Sequence, residues 1–82
     1  AAAPLLPAPL IDQLAPGESA VIAAIDGPAA TARRLMELGL APGISIELVR
    51  RAPLGDPLEL RIRRVHLSLR RSQAKHVRVH PA

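Results

Sequence analysis

Between Leu48 and Arg70 the chain reads LVRRAPLGDPLELRIRRVHLSLR, and this stretch constrains the fold more than any other. Leu58, Leu60 and Ile62 alternate with Glu59, Arg61 and Arg63, and Leu67 and Leu69 alternate with His66, Ser68 and Arg70. A period of two places one set of side chains on a buried face and the other in water, as half-buried strands require. The segment APLGDP, two prolines around a Gly-Asp pair, is turn chemistry and predicts a hairpin connection. The chain is therefore expected to build a small antiparallel sheet with a charged outer surface.

The flanking sequence fits this frame. Leu10–Leu14 predicts one short turn that drops Leu10 and Leu14 onto the core, and Pro16-Gly17 turns the chain. Ser19–Ile25 reads as a first strand. Asp26-Gly27-Pro28 then opens a helix over Pro28–Leu38, proline suiting a first helical position. On that helix Leu35 and Leu38 are expected to share a face, with Gly39 as a left-handed C-cap and Leu40 folding back onto the last turn. Ala41-Pro42-Gly43 suits a type II turn before a strand through Ile44, Ile46 and Leu48. A short turn is expected within Leu69–Lys75. Val77 and Val79, alternating with His76, Arg78 and His80, close the set. Five short strands and one inserted helix predict a mainly β domain, a strongly bent sheet closing into a partial barrel.

With 82 residues this is one domain with a thin core. It divides into a Pro/Ala-rich arm at 1–9 and the barrel at 10–82. Pro4, Pro7 and Pro9 interrupt the apolar run that a signal peptide would need. Nothing approaches the ~18 continuous apolar residues of a membrane-spanning helix. There is no cysteine, which removes disulfides, iron–sulfur clusters and thiolate zinc sites from consideration. The absence of Phe, Trp and Tyr is the sharpest exclusion, because base-stacking platforms and polyproline grooves are built from aromatic rings.

Charge is unevenly placed. From Arg50 onward nine Arg or Lys face two acids, a net +7, whereas residues 1–49 hold two Arg against five acids, a net −3. A basic half suits an acidic partner, whether nucleic acid, anionic membrane or protein. It equally suits a sheet whose solvated face and edges are kept charged. No G-x-S-x-G elbow or Ser-His-acid set is apparent, and the glycines form no phosphate-cradling loop, so no enzymatic activity is expected.

The phrases RLMELGLAPG and IELVRRAPLGDPLELRIRRVHLSLRRSQAKHVRV resemble the FeoA family across roughly Leu10–Val79. The resemblance implies an SH3-like, partly open β-barrel with an inserted helix. It also implies a cytoplasmic, non-catalytic accessory of bacterial ferrous iron uptake, recruited to the membrane by the cytosolic part of a FeoB-type transporter. A related module ends iron-dependent repressors, but 82 residues leave no room for a DNA-reading helix pair. The alternative is a basic barrel that grips nucleic-acid phosphates through Arg61, Arg63, Arg64, Arg70, Arg71 and Arg78. The missing aromatic residues weigh against it.

The candidate partner-binding residues are Arg33, Arg34, Met36, Leu54, Arg61 and Arg63. Leu54 stands at a hairpin tip between prolines, where an apolar side chain either folds back or anchors a partner. Arg33, Arg34, Met36 and Glu37 cannot all face inward, so part of the helix is open to a partner. Metal ligation would fall to His66, His76 and His80. His76 and His80 are expected to share one strand face, about 13 Å apart along a straight strand, too far for one ion at ~2 Å unless the strand bends. No cofactor is required on this reading. Zinc shared adventitiously between neighbouring molecules, and a monomer or weak homodimer, complete the expectations.

Overall fold

A computed structural model describes residues 9–81. The arm expected at 1–9 therefore lies outside the described residues except for Pro9, whose carbonyl accepts the Val79 N–H at 2.8 Å.

A short 3₁₀ turn at Ile11–Gln13 leads into strand β1 (Ser19–Ile25), helix α1 (Ala29–Glu37) and strand β2 (Ser45–Arg51). Strands β3 (Leu58–Ile62) and β4 (Val65–Leu69) follow, then a single helical turn, α2 (Arg71–Ala74), and strand β5 (Val77–Pro81). The five strands form one antiparallel sheet, as the alternation predicted, and their order is β4-β3-β2-β1-β5. Register shifts at Ile22/Ala24 and Leu48/Arg50 mark bulges in β1 and β2, which bend and twist a sheet. The edges differ. Outside β5 the Pro9–Leu10 segment covers the strand through the Val79 bond and a Leu10–Arg78 bridge, while among the described residues β4 has β3 as its only neighbour in the sheet.

The core contains only aliphatic side chains. Ile46 and Leu48 of β2, Leu58, Leu60 and Ile62 of β3, Leu69 of β4, and Val77 and Val79 of β5 are buried together. No polar or charged side chain is buried with them among the described residues. The first turn contributes Ile11 and Leu14, not the expected Leu10 and Leu14: Leu10 is only half-buried because its backbone runs along the sheet edge. The guanidinium of Arg51 fastens this turn to β2, donating to the carbonyls of Asp12 and of Leu14, the latter at 2.8 Å.

Pro28 is the N-cap rather than the first helical residue of α1, and its carbonyl accepts the Ala32 N–H at 3.0 Å. The helix ends in a Schellman motif. Gly39, at φ 101°, donates to the Met36 carbonyl and Leu40 donates to that of Leu35, both at 3.0 Å. Leu40 folds back as expected, and Leu35 and Leu40 are fully buried. Leu38 departs from expectation: the reversal at Gly39 turns it away from Leu35 and leaves it 42% exposed.

The short turn expected within Leu69–Lys75 is present as the single helical turn α2. One local reading is corrected: His76 precedes β5 instead of alternating within it. His76 donates its N–H to the Gln73 carbonyl and accepts the Asp26 N–H, so it closes α2 and joins it to the end of β1. It therefore does not share a strand face with His80.

Candidate functional site

Four large apolar side chains are exposed among the described residues: Leu54 at 94%, Val65 at 64%, Met36 at 50% and Leu38 at 42%. Three of them converge. Met36 and Leu38 at the C-terminal end of α1, with Val65 and Leu67 of β4, Ile62 of β3 and Ala41 behind them, line an apolar groove of about 380 Å³. The Schellman reversal builds one wall. It ends α1 with Met36 and Leu38 facing outward while Leu35 and Leu40 hold the turn to the core. The β3–β4 hairpin builds the other. Inward-facing positions of β4 pass from buried Leu69 through half-buried Leu67 to exposed Val65, so the core face of the sheet emerges into solvent at the hairpin tip.

Arg63 sits at that tip, first of the two residues linking β3 to β4, with φ 57°. Two-residue hairpins need positive φ at this position and ordinarily use Gly or Asn. An arginine there costs about 1 kcal/mol of backbone strain. Arg63 lines both the apolar groove and a second, polar depression of about 420 Å³ beside Ser19, Ser45 and Glu47. In that depression Arg61 is tied to Glu47 at 2.6 Å, whereas Arg63 has no hydrogen bond or ion pair among the described residues. Replacing Arg63 by glycine is expected to raise the stability of the free protein by about 0.5–1 kcal/mol. A urea midpoint that stays unchanged or falls would show that the turn carries no strain.

The candidate residues are thus divided. Met36 and Arg63 meet at the groove, and Arg61 lies beside it in an ion pair. Arg33 and Arg34 are exposed on α1, with Arg33 sharing a shallow apolar depression with Ala29, Ala32 and Met36. Leu54 is not with them. Its loop and the Arg63 turn flank β3 from opposite ends, and the loop is held to α2 by a bond from the Arg71 N–H to Asp56 at 3.0 Å. Leu38 and Val65 were not singled out from sequence. Arg63-Arg64 carries no glycine or asparagine, so the tight turn that exposes Val65 had no signature.

The three histidines lie on different elements. His66 lies on β4 and His80 on β5, opposite edges of the sheet, and the His76 ring packs against Gly27. No group of three His, Cys, Asp or Glu side chains among the described residues could hold an ion.

The family model for the FeoA domain matches residues 10–81. The chain belongs to the FeoA family. A Porphyromonas gingivalis protein named as a fusion of Fe(2+) transport protein A with the Fe(2+) transporter FeoB is 36% identical over 69 residues, covering 84% of this chain and 8% of that one. Iron(II) transport protein A from Clostridium thermocellum is 32% identical with a TM-score of 0.84, over 89% of this chain and 45% of that chain. Stenotrophomonas maltophilia FeoA, solved with zinc and described as an SH3 domain protein, is 37% identical with a TM-score of 0.76, over 88% of this chain and 89% of its own. The chain thus spans less than half the length of the fusion protein and of the Clostridium protein. Its five-stranded antiparallel sheet with one inserted helix is the SH3-like architecture of the FeoA family.

Proposed function

We propose that this chain is a non-catalytic accessory of ferrous iron uptake that docks on the cytosolic part of a FeoB-type transporter. The observation that carries the reading is the convergence of Met36, Leu38 and Val65 on one groove beside an unpaired arginine. A domain of this size gains nothing by leaving these side chains wet, and such patches mark interaction surfaces. Fully burying each gives roughly 1.5–3 kcal/mol before the cost of association. Three anchors therefore suit a micromolar, reversible contact. The Porphyromonas relative supports the partner's identity, because fusing two modules on one chain raises their effective concentration and compensates for modest affinity. The cytoplasmic face of the membrane is the corresponding location. Nucleic acid is the weaker reading: Arg50, Arg61 and Arg78 are paired with Glu59, Glu47 and Asp26, and the chain has no aromatic ring on which to stack a base.

Calorimetric titration of the chain with the soluble cytosolic domain of the transporter from the same organism tests this. Wild type is expected to bind in the micromolar range. Met36→Glu and Arg34→Glu should weaken binding about tenfold, whereas Leu54→Ala, at the far end of β3, should stay within about twofold. No binding by wild type discards the reading. Loss confined to Leu54→Ala moves the contact to the β2–β3 loop.

A further inference from the structure

The groove has a second property that its apolar lining does not reveal. Val65 and Ile62 close a two-residue hairpin, and in such a hairpin the closing pair exchanges both of its backbone hydrogen bonds. Alternation along the ladder then assigns the bonded positions to Val65, Leu67 and Leu69. The N–H and C=O groups of His66 and Ser68 point the other way, out of the sheet. β4 is an edge strand, and among the described residues no hydrogen bond from the first turn, a loop or a side chain reaches these four groups. The opposite edge is treated differently, being covered by Pro9 and Leu10. An uncovered edge with apolar side chains beside it is a template for another strand.

We infer that β4 accepts an extended segment of a partner protein by strand addition, with two apolar side chains of that segment seated in the groove and a carboxylate meeting Arg63. The register follows from the pleat. Residues of the added strand opposite Val65 and Leu67 point to the same face as these two, which is the groove side, and there they meet Met36 and Leu38. The residue between them points to solvent with His66. The choice of an acidic partner rests on charge complementarity at one end of the groove. Arg63 lines the groove at the hairpin tip, and among the described residues neither it nor the neighbouring exposed Arg64 carries an ion pair; the acid that shares the adjoining depression with Arg63, Glu47, is bound to Arg61. Such a tip attracts a strand ending in Glu or Asp. Main-chain bonds supply affinity and the alternate side chains supply selectivity, the usual division in recognition at sheet edges. The inference rests on the transporter reading only for which protein donates the strand.

Two titrations of the full chain, followed by amide chemical shifts, separate the claims. The first uses a synthetic peptide alternating valine and threonine and ending in two glutamates, against the same peptide ending in lysines. The acidic peptide is expected to shift the amides of His66 and Ser68 and the methyls of Met36, Leu38 and Val65, binding about tenfold more tightly than the lysine peptide at low salt. Val65→Glu should weaken it about tenfold. Ser68→Pro removes an outward N–H that β3 does not use, a change edge strands tolerate, and should weaken it to a similar degree with the fold confirmed by its spectrum. Undiminished binding by Ser68→Pro, equal binding of the two peptides, or a homodimer in sedimentation that the same substitutions dissociate would each overturn the inference. The second titration uses the transporter's cytosolic domain. If that domain binds while the peptide does not, the strand-addition claim fails alone; if the peptide binds and the domain does not, the choice of transporter fails alone.

Discussion

Leu60→Ala is expected to lower the unfolding free energy by about 3–5 kcal/mol. Leu60 is fully buried at the middle of β3, and its register partners are Leu48 on β2 and Leu67 on β4. Both flanking strands therefore lose a contact when the side chain is cut back. The neighbours are Leu, Ile and Val on a hydrogen-bonded sheet, which have little freedom to collapse into the space, so most of the cavity persists. The consequence is large because the chain is short. At about 0.05–0.15 kcal/mol per residue a domain of this length has roughly 4–12 kcal/mol in all. With no aromatic side chain and no disulfide in the sequence, nothing else in the core offsets the loss. Urea denaturation should show a midpoint reduced by a third or more with an unchanged slope. A loss below about 1 kcal/mol would mean that Leu60 is not packed as described.

The same residue shows why the fold was legible. Leu58, Leu60 and Ile62 alternate with charge, and that period leaves few alternatives to a strand with one wet face; all three are buried. Gly39 was legible for a similar reason, since a helix that ends on glycine before an apolar residue predicts the reversal seen at Leu40. The groove was not legible. Whether Leu38 and Val65 are buried depends on where the cover over the sheet stops, and that is set by the exit angle of α1 and by a turn at Arg63-Arg64 with no sequence signature. Leu38 repeats at helical spacing from Leu35, and by pattern alone the two are equivalent. Only the chain reversal between them and the core separates a packed leucine from one left at the surface. Met36 was found because four residues of one helix cannot all face inward, an argument from crowding that says nothing of what lies opposite. Leu54 was singled out on turn chemistry. It is exposed as that reasoning allowed, yet at the other end of β3 from Met36 and Arg63.

Gly27→Ala is the second large effect, expected to cost about 2–4 kcal/mol from a single methyl group. Two physical terms add. Gly27 has φ 96°, a conformation in which an L-residue is strained by about 1–2 kcal/mol. A Cβ at this position would lie 2.5 Å from Nδ1 and 2.9 Å from Cε1 of the His76 ring, closer than packed atoms approach. Relief must come from rotation of the half-buried His76 ring. Its backbone is fixed by the bond from the Asp26 N–H to the His76 carbonyl at 2.7 Å, and the next turn of the chain is fixed by the Arg78–Asp26 ion pair at 2.9 Å. Gly27 is thus the point where the end of β1, the start of α1 and the entry to β5 touch, and shifting it tilts the helix that carries Met36 and Leu38. The two terms separate in a double-mutant cycle with His76→Ala. Removing the ring relieves the steric part and leaves the torsional part, so Gly27→Ala should cost about 1–2 kcal/mol less in the His76→Ala background than in wild type. Equal costs in both backgrounds would assign the whole effect to backbone conformation. A Gly27→Ala protein within 0.5 kcal/mol of wild type would contradict both terms, and with them the placement of α1 on which the groove depends.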